Sequence, residues 1–240
     1  MSAIGLPTTR ASSDDSVDVE QISPLFLRLC GFALMTGAVG FIAHLVARSI
    51  LTAAASGSTA TFATHSLWVP VNALGAFGAA LVVLGLSGLY ASFAYTHERL
   101  ALFGSTLIGL AWMVLGVFLS LYSMIVLPWL ATTMPGLVDG LNSEPATIVT
   151  FGVGVIAELV GTILLAIPLV RHRSTSSWIG YILLASALML VLGDFVIAPG
   201  GPATNVAVSL VSNLGPLLLM VAVGALGRQL RSAHVAVPQP

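Results

Sequence analysis

The residue types able to do chemistry are few in this chain, and most of them stand inside apolar runs. Glu158 lies within FGVGVIAELVGTILLAIPL (151–169), with seven apolar or small residues directly before it. A carboxyl group in such a setting can exchange a proton, hold a cationic group, or stay protonated and donate one hydrogen bond. At about 100° per residue, Gly154, Glu158, Gly161 and Leu165 share one helix face. Small residues mark close helix contact in membranes, so this face should meet protein and not lipid. The same pattern recurs elsewhere. Ala33, Gly37, Gly40, His44 and Arg48 line one face of an early segment, and Gly180, Ala187 and Asp194 line up in a later one. Ser209, Asn213, Pro216, Met220, Gly224 and Gly227 form a small and polar stripe. Asn72 precedes a heptad of small residues, Gly78, Gly85 and Ser92. These placements predict one polar cluster of His44, Arg48, Asn72, Asp194 and Asn213 in the outer half of a bundle, with Glu158 beneath it. Arg48 and Asp194, each about one turn from the outer surface, are the expected ion pair.

The elements that must carry these residues follow from composition. The chain has 240 residues, 57% of them hydrophobic and only 7% charged, with a mean hydropathy of +1.03. Soluble domains carry about 25% charged residues, so this chain has too few to cover a water-facing surface. Six apolar segments are legible, at 24–49, 67–95, 100–131, 146–170, 178–198 and 203–227. Each exceeds the ~9–11 residues of a barrel strand, which predicts an all-α, polytopic membrane bundle of six transmembrane helices. The breaks between them are charged (THER, 96–99; RHRSTSS, 171–177) or rich in Pro and Gly (132–145; 198–202). Residues 52–66 read as a small-residue loop without periodicity.

Arginine placement orients the bundle. All eight basic residues are Arg, and with six spans Arg10, Arg28, Arg99, Arg171, Arg173, Arg228 and Arg231 fall on one side, leaving Arg48 alone on the other. That bias places both termini in the cytoplasm and the loop with Asp139 and Glu144 outside. Residues 1–23 are polar and acidic and read as a disordered cytoplasmic tail, with Ser23 as a cap and Pro24 at the first helical position. A cleaved signal peptide ending near AAASG (53–57) is the disfavoured alternative, since the preceding apolar stretch is too long. The transmembrane domain then spans 24–230, followed by a short tail at 231–240.

RLCGFAL (28–34), LWVPVNALGAFGAALVVLGLSGLYAS (67–92) and LLAIPLVRHRSTSSWIGYILLASALML (164–190) resemble a broad group of uncharacterised bacterial six-span integral membrane proteins. The resemblance implies a bacterial cytoplasmic membrane location and a six-helix bundle. It brings no activity and no site residues.

Several functions lack their residues. HExxH, G-x-S-x-G and Walker motifs are missing, and no basic patch suggests nucleic acid. Cys30, the single cysteine, reads as a packing residue. His44 and His65 with a carboxylate could hold a metal, but no tight ligand spacing exists, so no metal and no cofactor is expected. The expected function is a multi-pass, non-enzymatic structural or regulatory membrane component. Its partners are the lipid bilayer and a membrane protein or small-molecule ligand. The alternative is a small transporter that uses Glu158 and the outer cluster to bind a proton or ligand.

Overall fold

The computed structural model describes residues 23–54, 59–95, 98–140, 145–171, 177–193 and 206–232, and the described residues contain helix and no strand. Helix α1 (Pro24–Ala54) leads through the short α2 (Thr59–Ala63) into α3 (Trp68–Tyr95). Helix α4 (Arg99–Trp112) continues through a π-helical segment (Met113–Phe118) into α5 (Leu119–Thr133), and α6 (Pro135–Gly140) follows. Helices α7 (Pro145–Arg171), α8 (Ser177–Leu192), α9 (Val206–Ser212) and α10 (Leu214–Ser232) complete the order.

Four helical stretches are long and apolar enough to cross a membrane: Pro24–Ala53, Trp68–Ala94, Arg99–Thr133 and Thr147–Arg171. The bent pair α9–α10, kinked by 54°, makes a fifth if counted as one span. The remaining segment supplies α8, an apolar helix of 16 residues, short of the ~20 that cross a hydrocarbon core. The expected end of that segment, 194–198, lies outside the described residues, as do the tails 1–22 and 233–240. The outer faces are studded with Val39, Phe77, Leu84, Phe103, Phe118 and Ile125, all exposed. Water would penalise so continuous an apolar exterior, whereas lipid tails are equivalent to it. Such helices fit a membrane protein.

Neighbours along the chain close into a ring. Helix α1 packs on α3, α3 on α4, the π segment and α5, α4 on α7, α7 on α8, α8 on α10, and α10 back on α1. Glycines set the closest of these seams. A Cβ on Gly37 would stand 2.7 Å from the Gly78 carbonyl oxygen, and one on Gly104 only 2.6 Å from the Leu165 nitrogen. Close backbone approach of this kind replaces the hydrophobic drive that lipid removes. Gly31 meets Gly227 and Ser49 meets Ser209, so α1 and the α9–α10 pair run antiparallel. The beginning of α1 and the end of α10 therefore lie at one end of the ring, called the terminal end below. One continuous core fills the interior, including Leu34, Phe41, Val82, Ile108, Trp112, Leu165, Leu183, Met220 and Val223.

A smaller core of Phe62, Ala63, Trp68, Leu127, Ala131 and Val138 sits at the opposite end. Its origin is the length of the third span. Arg99–Thr133 has 35 residues, about 52 Å of helix against a hydrocarbon core of ~30 Å. The far part of this long stretch carries the smaller core, where α2 and α6 fold onto α5 and onto each other. Residues 59–63, expected as loop, are helical for this reason: Phe62 and Ala63 are buried there, and tertiary burial outweighs the missing periodicity.

Candidate functional site

Two levels of buried polar groups can be traced from the helices that position them. The first lies at the α2–α6 end of the α1–α3 seam. His44, one turn before Arg48 on α1, is 1% exposed. Its Nδ1–H donates to the Val71 carbonyl oxygen at 2.8 Å, across the seam. The imidazole fits because residue 75 is glycine; a Cβ there would be 2.7 Å from the ring. Arg48 places its guanidinium carbon 5.7 Å from the Trp68 ring centroid, a cation–π contact. Trp68, fully buried, donates Nε1–H to the Ser123 carbonyl oxygen at 2.8 Å and so ties α3 to α5. Asn72, one turn along α3, donates Nδ2–H to the Trp68 carbonyl oxygen at 2.8 Å. Its other amide atom, Oδ1, is buried without a hydrogen-bond partner.

Asn213 sits at the break between α9 and α10. Its backbone N–H and its Nδ2–H both donate to the Ser209 carbonyl oxygen, at 3.1 and 2.7 Å. The side chain thus adds a second donor to that carbonyl beside the helical bond, at the 54° bend. The Ser209 hydroxyl donates to the Ser49 hydroxyl at 3.0 Å, fastening the bent pair to α1 beside Arg48. Asp194 lies outside the described residues, and with it the expected Arg48–Asp194 pair. His65 is exposed, and its Nδ1 accepts from the Leu67 N–H at 3.1 Å. Among the described residues no three His, Cys, Asp or Glu side chains come together as a metal site.

The second level belongs to Glu158, which is 4% exposed at the middle of α7. The register of the seams gives its depth. Gly154 meets Leu115, and Gly116 meets Ala79. Glu158 is four residues to the terminal side of Gly154, and Asn72 is seven residues to the other side of Ala79. The two polar levels are therefore about 16 Å apart along the bundle. Helix α7 packs chiefly on α4, α8 and the π segment, whereas His44, Arg48 and Asn72 occupy the α1–α3 seam. The structure thus brings His44, Arg48 and Asn72 together around Trp68, fastens the Asn213 break to α1 through Ser209, and holds Glu158 separately and deeper.

Sequence reasoning missed two buried tryptophans, one joining the first level and one lying level with Glu158. Trp68 counts as apolar in a hydropathy reading, yet its N–H and its ring face hold the first level together. Trp112 belongs to the second level. It packs edge-on against Phe41, with ring centroids 4.5 Å apart, and its Nε1 is buried without a hydrogen-bond partner. The available signal was the pairing of each Trp with a small or polar residue one turn away, Asn72 for Trp68 and Gly116 for Trp112.

No protein-family model matches the chain, and neither a curated protein nor a solved structure shows significant similarity to it. The residues and their geometry therefore carry the functional reading unaided.

Proposed function

We propose that the chain is a multi-pass integral protein of the bacterial cytoplasmic membrane, a six-span bundle with both termini cytoplasmic, acting as a non-enzymatic structural or regulatory component. One observation supports this reading above others. The polar groups at the α2–α6 end direct their hydrogen bonds to the protein's own backbone: His44 to Val71, Trp68 to Ser123, Asn72 to Trp68 and Asn213 to Ser209. The first two bonds cross between helices, as interhelical glue does, and the last two stay local to α3 and to the α9–α10 break, so these four donors are met by the protein's own backbone. The bilayer is the first partner, through the exposed apolar faces. A second membrane protein is the further partner this role requires.

Six spans make a sharp topological prediction. In a Cys30→Ala background, a single cysteine replacing Ser174 should react with a membrane-impermeant thiol reagent only from the cytoplasmic side. One replacing Asn142 should react only from outside. Labelling of both from the same side would overturn the six-span arrangement.

The second reading is a small transporter, favoured by Glu158 buried at mid-helix and by the break at Asn213. Native mass spectrometry of the protein released in mild detergent separates the two. A stoichiometric second protein supports the structural reading. A defined small mass that is lost in Glu158→Gln supports transport, and that variant should then keep its yield and thermal stability.

A further inference from the structure

Helix phase and seam register turn Glu158 and Trp112 toward the interior at one level. On α4, Ile108 contacts Gly161 of α7 and Gly109 faces Leu86 of α3. Trp112 lies one turn from Ile108, on the side between those two faces, and its ring reaches Phe41 of α1 across the interior. On α7, Gly161 faces α4 and Gly154 the π segment that continues it, while Ala166 and Val170 face Gly180 of α8. Glu158 falls between these faces and nearer the first, at about 40° from Gly154. The two side chains are also level. Gly161 sits against Ile108 and Gly154 against Leu115, which sets residue 158 opposite residues 111–112. Both are nearly inaccessible, at 4% for Glu158 and 3% for Trp112.

The Trp112 indole carries a donor with no acceptor. A buried N–H left unmet forfeits its hydration without replacement, and the group that would relieve it most is an anionic oxygen. A carboxylate has about four lone-pair sites, so Glu158 can accept this N–H beside any other contact it makes. The π-helical segment begins at the next residue, Met113. Such segments inside α-helices are frequent at functional sites.

We propose that Trp112 is the positioning residue of a proton-binding pair in the interior, donating its indole N–H to the carboxylate of Glu158 when that group is ionised. Loss of the proton from the Glu158 carboxyl to water leaves an oxygen that accepts the N–H; no other bond changes. Proton uptake releases the indole to its unmet state. The inference rests on the proton-binding form of the transport reading. Apart from His44, the following titratable groups stand away from this level. Arg99, with Glu98 beside it at the start of α4, and Arg171 at the end of α7 each lie about 20 Å along their helices, and both arginines are exposed. On α8, Tyr181 is exposed, and the π segment has no titratable side chain. Across the ring, His44 comes nearest: its ring packs on Phe41 with centroids 5.2 Å apart, and Phe41 in turn packs on Trp112; Arg48 lies one turn further along α1. Arg28, Arg228 and Arg231 lie towards the terminal end, as do Cys30 and Tyr90; His65 and Tyr122 lie towards the α2–α6 end.

Two spectra on the full chain in lipid nanodiscs test this. The first is the proton-detected spectrum of nitrogen-15-labelled indoles, recorded against pH, with Trp112 identified by Trp112→Phe. The second is the infrared carboxyl band of Glu158, identified by carbon-13 labelling of glutamate and by its loss in Glu158→Gln. The expected result is a Trp112 N–H signal that moves downfield as the carboxyl band disappears, and that stays fixed in Glu158→Gln. A titrating band with a stationary Trp112 signal would overturn the pairing and leave proton binding standing. A band that never titrates, with a stationary indole, would overturn both. If Glu158→Gln does not accumulate, Trp112→Phe serves: removal of the N–H should shift the frequency of the ionised carboxylate, and an unchanged frequency counts against the pair.

Discussion

Trp68→Ala should lower the unfolding free energy by about 3–5 kcal/mol, the range for truncating a buried aromatic, and should be among the most damaging single changes in the chain. Trp68 is fully buried and touches three elements through three kinds of interaction. Its indole N–H reaches the Ser123 carbonyl of α5, its face lies under Arg48 of α1, and its ring packs on Phe62 of α2 with centroids 4.9 Å apart. Truncation leaves a cavity in the smaller core and removes the cation–π partner of a guanidinium that is not fully solvated. Trp68→Phe should recover most of the packing and lose the hydrogen bond, costing about 1–3 kcal/mol. Thermal unfolding in a mild detergent, read by tryptophan fluorescence, checks the series. Equal midpoints for the wild type and the Ala variant would remove Trp68 from its place as the joint between α1, α3 and α5.

Gly104→Leu should be as severe, for a different reason. A Cβ at this position would stand 2.6 Å from the Leu165 nitrogen and 2.8 Å from the Gly161 carbonyl oxygen. Both obstacles are backbone, so no side chain can swing aside, and α4 and α7 must separate. Overpacking ordinarily costs about 1–3 kcal/mol, and the upper end or loss of the folded protein is expected here. Gly152→Leu is the matched control on α7. Nothing lies within 4 Å of its Cβ position, and the change should stay within about 0.5 kcal/mol. Yield and thermal midpoint of the two variants, measured side by side, decide the matter. Comparable behaviour would mean that α4 and α7 do not meet along Gly104 and Gly161.

Both results bear on function. A bundle whose seams close on glycine backbone is rigid at those seams, and motion has to come from its irregular places. Among the described residues these are the π-helical segment beginning at Met113, the break at Asn213, and Pro128 and Pro168 within α5 and α7. The first adjoins Trp112 and the second is fastened to α1 beside Arg48. A transporter would work through these, and a structural subunit would keep them fixed.

Composition alone was enough to expect a chain of apolar helices long enough to cross a membrane, and the structure has them. With 7% charged residues, the chain can bury its surface only in lipid or in itself, and backbone groups in lipid require helices. Segment positions were legible too, because Pro, Gly and Arg interrupt otherwise continuous apolar runs: α1 begins at Pro24, α3 at Trp68 and α7 at Pro145, each within one residue of expectation. The small-residue faces also announced the seams, since Gly37, Gly78 and Gly161 all stand where a neighbouring backbone arrives. Partner choice was hidden. A face of glycines shows that a helix will be approached closely and not by which neighbour, and only the closed ring assigned Gly161 to Gly104 and Gly78 to Gly37. The helices α2 and α6 were illegible for a similar reason, as short segments take their structure from the tertiary surface they cover. Depth was decided by tertiary structure as well. His44, Arg48, Asn72 and Glu158 are all polar residues on small-residue faces, but seam register, a property of two helices at once, is what sets Glu158 about three turns from the others and level with Trp112.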